Sequence, residues 1–393
     1  MNIGIFTDTY YPEINGVANS TYELKKGLEK LGHKVYIFTV SNPGAYPEEG
    51  VYRTASIPFL MLRERRIGCV VSKIWKRRIR KYQLDIIHTQ TEFMMGHLGR
   101  KLADWLGIPH IHTYHTIYED YLSYLHMPDR RCFRRVARRF SRICCNHADE
   151  VIVPTRKVRD LLDTYGVRKE VHIIPSGISL DKFARPDTEH ARKLKEALGI
   201  GEDDFVLLYV GRLSSEKNIS ELLSFVHGAA DREKLRLLLV GDGPMRGELE
   251  HQTRELQLEE NVIFAGMASF DEIQDYYVLG DVFVSGSTSE TQGLTYIEAL
   301  AAGLPLLVRQ DACLSGILRE YKNGISYTDN QTFQAGLEYF RKHSEQFSKK
   351  DEIKESVDEL GTAAFAEQIE KLYTAVKGDA KSRSRHGRTT HAA

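Results

Sequence analysis

Short runs of branched aliphatic residues recur along this chain, and each gives way to a loop and then to a helical pattern. Asn2–Thr7 is the first such run. Asp8–Gly16 follows as a loop with Pro12 and an Asn15-Gly16 turn. Val17–Leu31 then places Leu24, Leu28 and Leu31 at the spacing of one helical face. Gly32 supplies a helix stop, and Lys34–Val40 is the next strand. Strand, helix and strand in that order join parallel neighbours through a right-handed crossover. A sheet built this way is covered by helices on both faces, so its strands read as unbroken apolar runs.

Further strands are expected at Asp85–Thr89, His110–Thr113, Glu150–Val153 and Val171–Pro175. A polar stretch beginning at Pro175-Ser176-Gly177 then interrupts the pattern, which restarts at Phe205–Val210. Leu235–Val240, Val262–Ala265, Val282–Ser285 and Leu304–Val308 are the strands of the second half, and Leu294–Ala302 is a helix stopped by Gly303. At roughly 100–200 residues per domain, 393 residues fit two. The reading is therefore α/β, with an N-terminal Rossmann-like domain over 1–178 and a C-terminal one over 179–376, facing across a cleft. Residues 377–393, with Ser-Arg-Ser-Arg-His-Gly-Arg and no apolar period, read as a disordered tail.

Several classes drop out. Runs such as Val206–Val210 fall far short of the roughly 20 apolar residues a bilayer span needs. The opening Met1–Phe6 carries no basic leader, so no signal peptide is expected. Five scattered cysteines, with only Cys144 and Cys145 adjacent, suit neither a disulfide framework nor a zinc site and point to a reducing cytoplasm. No Gly-x-Gly-x-x-Gly follows the first strand, and Gly241-Asp242-Gly243 is half a dinucleotide fingerprint. A Walker loop is also absent.

Two loops carry charge where phosphates would sit. Gly211-Arg212-Leu213-Ser214-Ser215-Glu216-Lys217 lies between a strand and a helix. Its arginine fork and lysine point charge suit a diphosphate, although an ion pair with Glu216 explains the lysine as well. Glu290 lies in the loop after the strand Val282–Ser285, and Glu298 on the first turns of the next helix. Between them Gly293, Leu294 and Thr295 offer backbone amides at a helix N-terminus, which favours an anion. Two carboxylates flanking an anion site match a ligand of sugar, diphosphate and ribose. Gly16, before the first helix, leaves similar room in the N-terminal half.

Gly211-Arg212 with Lys217, the Glu290/Glu298 pair, and Tyr11-Pro12 with Gly16-Val17 resemble the retaining GT-B glycosyltransferases of family 4 over roughly residues 1–375. The resemblance implies that Arg212 and Lys217 neutralise the donor diphosphate and Glu298 holds the ribose. It implies that Glu290 meets the donor sugar, the Gly293, Leu294 and Thr295 amides meet sugar and phosphate, and Gly16 approaches the phosphates. Backbone near Met267 and Ala268 would meet the base. Gln292 stands where many relatives have phenylalanine. His115, in His112-Thr113-Tyr114-His115-Thr116, resembles the family's catalytic-cleft histidine. The implied catalytic residues are His115 and Glu290, acting through front-face substitution with no protein nucleophile. No Asp-x-Asp occurs, so no metal and no cofactor beyond the nucleotide-sugar co-substrate is expected.

The net charge of zero hides a split. Residues 1–175 hold 28 basic and 18 acidic residues, and the remainder is acidic by the same margin. The excess lies in Arg63–Lys81 and in Arg130, Arg131, Arg134, Arg135, Arg138, Arg139 and Arg142, which recur at helical spacing beside Phe133, Val136, Ala137 and Phe140. Such a helix suits an anionic membrane surface, and no nucleic-acid module accompanies it. The apolar run Ile57–Leu62 reads either as a lipid-dipping segment or as a buried strand.

His88–Phe93, the His115 segment with Tyr118–Tyr121, and Thr288–Glu298 resemble the bacterial monoglucosyldiacylglycerol synthases. That resemblance implies UDP-glucose as donor, the 3-hydroxyl of 1,2-diacylglycerol as acceptor, an α linkage, and a peripheral location on the inner face of the cell membrane. A glycolipid or soluble carbohydrate acceptor, and a nucleotide-sugar-binding module without turnover, are the competing readings.

Overall fold

A computed structural model describes residues 1–59, 62–70, 72–121, 130–347 and 350–389. The side chains of 62–65, 72, 120–121, 130 and 379–389 lie outside that description. Leu60 and Met61 of the apolar run, the side chains of Arg63, Arg65, Asp120, Tyr121 and Arg130, and residues 390–393 therefore fall outside it.

The chain forms two compact units, Met1–Ile178 with Thr362–Ala393, and Ser179–Gly361. The first unit holds β1 (Asn2–Phe6), β2 (Lys34–Val40), β3 (Val51–Thr54), β4 (Ser56–Phe59), β5 (Leu62–Gly68), β6 (Ile86–Thr89), β7 (His110–Thr113), β8 (Glu150–Val153) and β9 (Val171–Ile173). Seven of these make one sheet in the order β3-β2-β1-β6-β7-β8-β9, with every neighbour parallel. β4 and β5 form a separate antiparallel ribbon, in which Ile57 is exposed, so the first part of the apolar run is surface strand.

Both faces of the large sheet are buried. Ile3, Ile5 and Ile37 enter one cluster while Phe6, Phe38 and Val40 enter another, the two-residue alternation of a covered strand. The helix Gly16–Lys30 covers the first face, its N-terminus capped by Asn15, whose side chain accepts from the Ala18 amide at 3.0 Å.

The final helix, Thr362–Thr389, lies on that same face. Residues 362–376 were expected in the second domain and 377 onward in a disordered tail. Instead 362–393 belong to the first unit, and helical backbone runs to Thr389. The cause is an apolar stripe: Phe365, Ala366, Ile369 and Tyr373 are buried with Leu24, Leu28 and Ile3. A Cβ on Gly27 would meet Ala366 Cβ at 2.6 Å, so these two helices touch where a side chain is missing. Polar clamps follow the stripe. His33 meets Glu370 at 2.8 Å, Lys377 meets Asp85 at 2.7 Å, and Thr362 donates to Glu23.

The second unit holds β10 (Phe205–Val210), β11 (Leu235–Val240), β12 (Val262–Gly266), β13 (Val282–Ser285), β14 (Leu306–Arg309) and β15 (Gly324–Tyr327). They form one parallel sheet in the order β12-β11-β10-β13-β14-β15. The strand order reverses between β1 and β6 in the first sheet and between β10 and β13 in the second. Open α/β sheets bind ligands beyond the carboxyl ends of strands at such switch points.

Ile369 is fully buried at the centre of the stripe. Ile369→Ala should cost about 2–5 kcal/mol. The check is a lower urea midpoint for the first unit's unfolding. An unchanged midpoint would mean that the final helix is not part of that core.

Candidate functional site

In the second unit the loop after β10 is shaped by backbone contact. Gly211 has φ +154° and Gly241 φ +140°. A Cβ on Gly241 would fall 1.9 Å from Gly211 O, and one on Gly243 would fall 2.3 Å from Leu213 O. The half fingerprint Gly241-Asp242-Gly243 is thus a packing device that lets two loops run against each other. The Gly211 amide donates to Val240 O and the Leu213 amide to Asp242 O, both at 3.0 Å. Tyr209 Oη donates to Arg212 O at 3.0 Å, fixing the arginine's backbone just beyond the carboxyl end of β10.

Lys217, five residues past Arg212 in this loop, reaches the loop after β13. Its Nζ lies 2.5 Å from Glu290 Oε1. Glu216, the partner offered by the loop itself, accepts from Ser214 Oγ at 2.6 Å and adds a smaller charge effect on Lys217. Burial is the largest single influence and opposes the Lys217 ammonium, but the charge and hydrogen bond of Glu290, with Tyr209 and Glu216 nearby, together outweigh it and raise the lysine above its ordinary value. Lys217 therefore stays cationic at neutral pH. The switch point brings together two residues 73 positions apart, which sequence spacing alone does not show.

Gly293 opens the helix Leu294–Ala301 in the left-handed region, at φ +75°. A Cβ there would meet Tyr296 Cδ2 at 2.4 Å, so glycine is required on both counts. The Leu294 and Thr295 amides are first-turn donors without intrahelical acceptors. Glu298, half-buried one turn on, accepts from Tyr277 Oη at 2.7 Å. Tyr277 was missed by sequence reasoning, because a tyrosine 21 residues upstream carries no motif signal. Glu221, Arg309 and Tyr327 support the same end of the sheet. Arg309 donates to Glu221 Oε1, and Tyr327 Oη to Ser285 O at 3.1 Å. Met267, which the resemblance puts near the base, is 64% exposed.

The first unit gathers polar groups inside its central strands. His88, Thr89, His110, His112 and Thr113 on β6 and β7 are all buried. His115, just past β7, is half-buried, and its Nε2 lies 2.7 Å from Gln90 Oε1. Burial, then the His112 charge, pushes His115 down to about 3, so its imidazole is neutral. Glu92 is buried beside this group, accepting from Tyr118 Oη, with Oε1 3.3 Å from His112 Nε2. Gly16 is the first residue of the helix after β1, behind the Asn15 cap. Among the described residues the group with metal-ligand spacing is Glu150, Glu170 and His172, at the β8–β9 edge, and it includes no expected site residue.

The arginine-rich segment is a helix, Arg130–Asn146. Ala137, Ser141 and Cys145 face inward, while Arg131, Arg134, Arg135, Arg139 and Arg142 are exposed. Arg138 differs. It forms two hydrogen bonds to Glu119, at 2.6 and 3.1 Å, and lies over the Tyr165 ring. Val136 and Ile143 are 58% and 44% exposed. Phe140 stacks on Phe93, itself 54% exposed, with ring centroids 5.9 Å apart.

Two Rossmann-like sheets, each with polar or charged residues at a switch point, are the architecture of the GT-B fold. Comparison with known proteins narrows the class. Residues 14–182 match the family described as Glycosyltransferase Family 4, and residues 191–359 match Glycosyl transferases group 1. Alpha-monoglucosyldiacylglycerol synthase of Streptococcus pneumoniae is 41% identical over 332 residues, covering 83% of this chain and 75% of the relative. The Acholeplasma laidlawii protein of the same name is 35% identical over 387 residues, covering 95% and 96%. HepE of Anabaena, solved in complex with UDP-glucose, superposes with a TM-score of 0.76 at 16% identity, over 95% of this chain and 99% of that one. That likeness carries the fold. The chain belongs to glycosyltransferase family 4, alongside the alpha-monoglucosyldiacylglycerol synthases. It is an enzyme, and the hexosyltransferase class expected from the sequence is the class of these relatives.

Glu298 supplies a test of the geometry. Burial raises its carboxyl, against the opposing pull of the Tyr277 hydrogen bond and the Lys182 charge. The folded unit then holds this proton more tightly than the unfolded chain. Stability falls as pH rises from the ordinary glutamate range through the raised value, and the penalty persists at neutral pH. Glu298→Gln removes the charge and keeps an oxygen for Tyr277. Without ligand it should melt higher than wild type at neutral pH, with the gap closing below the ordinary glutamate range. A lower neutral-pH melting temperature would contradict this.

Proposed function

We propose that this chain transfers glucose from UDP-glucose to the 3-hydroxyl of 1,2-diacylglycerol at the inner face of the cell membrane, with retention, giving an α-linked glycolipid. One observation carries the reading. A chain with a charged switch point built around Lys217, Glu290 and Glu298 also presents a helix of exposed arginines beside exposed Val136 and Ile143. An acceptor dissolved in water gives no reason for the second feature. The names of the two relatives in Streptococcus pneumoniae and Acholeplasma laidlawii point the same way.

The residues take the following parts. Arg212 and Lys217 stabilise the negative charge that grows on the leaving diphosphate, where preorganised cations are most effective. The first-turn amides of Leu294 and Thr295 add the partial positive charge of a helix start. Glu298 accepts ribose hydroxyls with the oxygen that Tyr277 leaves open. Glu290, held by Lys217, accepts hydroxyls of the glucose. Gly16, at the start of the first helix, leaves room for a phosphate to approach the helix N-terminus. His115 meets a substrate hydroxyl as a neutral imidazole.

In the transfer the bond from the glucose anomeric carbon to the diphosphate oxygen breaks. The acceptor oxygen bonds to that carbon from the same face. The acceptor's proton passes to the departing phosphate oxygen, and UDP leaves. Lysine and arginine supply the charge neutralisation, so we expect no obligate metal. On the membrane, Val136, Ile143 and the Phe93–Phe140 stack enter the headgroup boundary while the arginines bind anionic lipid.

Two expected outcomes separate donor binding from membrane binding. Glu298→Ala should weaken UDP-glucose binding roughly 10- to 100-fold, the loss of charge-assisted hydrogen bonds, with vesicle binding unchanged. Arg135→Ala with Arg139→Ala should weaken sedimentation with anionic vesicles about 30-fold, at about 1 kcal/mol for each cation, with donor affinity unchanged. Arg138 is unsuited to this test because Glu119 holds it. Calorimetry and co-sedimentation check both, and equal losses in both variants would contradict the division. For the stereochemistry, the anomeric proton coupling of the isolated lipid product should be that of an α-glucoside; a β coupling would overturn retention.

A further inference from the structure

The buried chain of polar groups behind His115 has no counterpart in the roles above. Gln90 Oε1 lies 2.7 Å from His115 Nε2. The Gln90 amide nitrogen lies 3.1 Å from His88 Nε2 and 3.3 Å from Nδ1. His88 is clamped at both ring nitrogens, by Thr113 Oγ1 at 2.7 Å and by Tyr373 Oη at 2.6 Å. His88, Gln90 and Tyr373 are at most 2% exposed. The run therefore links the final helix, through β6, to the residue just past β7.

We infer that Gln90 and His88, with Tyr373 of the final helix, are positioning residues that fix His115 as the Nε2–H tautomer and leave Nδ1 to accept a hydrogen bond from a substrate hydroxyl. The inference rests on the reading of His115 as a substrate-facing residue. A glutamine oxygen only accepts, so the proton between it and His115 belongs to Nε2. The other nitrogen of a neutral imidazole then carries the lone pair. Burial keeps His88 far below its ordinary value, so it also stays neutral and serves as a fixed hydrogen-bonding strut. An apolar contact would hold the ring's place but not its tautomer. That gives a reason for the polar side chains of His88, Gln90 and Tyr373 at buried positions that apolar ones could fill.

The test compares His115→Ala, Gln90→Leu, Tyr373→Phe and Gln90→Glu in the full-length enzyme, assayed with UDP-glucose and diacylglycerol vesicles. Gln90→Leu should lower kcat by roughly 10²-fold, the scale of a misplaced catalytic group, with KM for both substrates within about two-fold. Tyr373→Phe, which keeps the ring and its packing, should lower kcat less, in the same sense. Gln90→Glu keeps an acceptor but adds a carboxylate, which raises the His115 pKa. His112 and His88 are the other titratable groups facing this position. Its kcat should therefore fall from about pH 8 toward pH 5, an acid limb that the wild-type His115 does not contribute.

Ring-nitrogen NMR of histidine gives a readout independent of rate. His115 should be the Nε2–H tautomer in wild type and a mixture of tautomers in Gln90→Leu. Wild-type His115 protonated at Nδ1, or a Gln90→Leu enzyme with unchanged kcat beside an impaired His115→Ala, would overturn the inference and leave the proposed function standing. Full activity in His115→Ala would overturn the inference together with the part given to His115, whereas no transfer by the wild-type enzyme would overturn the proposed function itself.

Discussion

A parallel strand covered on both faces has no place for a polar side chain along its length, and the chemistry of such a sheet collects where its strands stop. The second unit obeys this. β10, β11 and β13 are almost wholly buried and apolar except for Arg236 near the start of β11 and Ser285 at the end of β13, and Lys217 and Glu290 lie in the loops that follow two neighbouring strands at the reversal of strand order. The first unit breaks the rule on two strands. β6 and β7 bury His88, Thr89, His110, His112 and Thr113. Each of these needs a partner, because an unpaired buried polar group costs on the order of 1–3 kcal/mol. The partners found are one another, Gln90, Glu92 and Tyr373. A sheet that tolerates this arrangement does so where function requires polar groups in fixed positions.

The site is costly to hold without ligand. Lys217 and Glu290 give up hydration to pair, and the pair is worth keeping only because both charges stay balanced. Glu298 has one tyrosine donor and a carboxyl raised by burial, so the folded unit keeps an acceptor in reserve at the expense of its own stability. Proteins often accept that exchange at functional sites. Surface charge follows a different logic. Arg131, Arg134, Arg135, Arg139 and Arg142 are exposed, and Arg138, exposed as well, is tied to Glu119, so residues that look equivalent in the sequence differ in what holds them.

Much of this was legible before the structure. The strand–loop–helix pattern gave two Rossmann-like domains, and Arg212, Lys217, Glu290 and Glu298 stood out because their spacing set charge beside helix starts. What stayed hidden depends on contacts distant in sequence. Gln90 is 25 residues from His115, and Tyr373 is 285 from His88. Gly241-Asp242-Gly243 looked like part of a nucleotide fingerprint, but its glycines answer a backbone approach that only the folded loops create. The final helix shows the same limit. Its apolar stripe is visible in the sequence, but the sheet it covers is not. Residues 377–393 read as disorder, although a helix already nucleated by packing extends at little cost, and helical backbone runs to Thr389.

The central claim is that a nucleotide-sugar site and a cationic, partly apolar helix serve one reaction at a lipid surface. Transfer of radiolabelled glucose from UDP-glucose into organic-extractable lipid, with diacylglycerol vesicles containing or lacking anionic lipid, tests it most directly. The account expects labelled glucosyl-diacylglycerol, formed faster on the anionic vesicles. Binding of UDP-glucose without labelled lipid on either vesicle, or faster transfer to a water-soluble sugar, would contradict it.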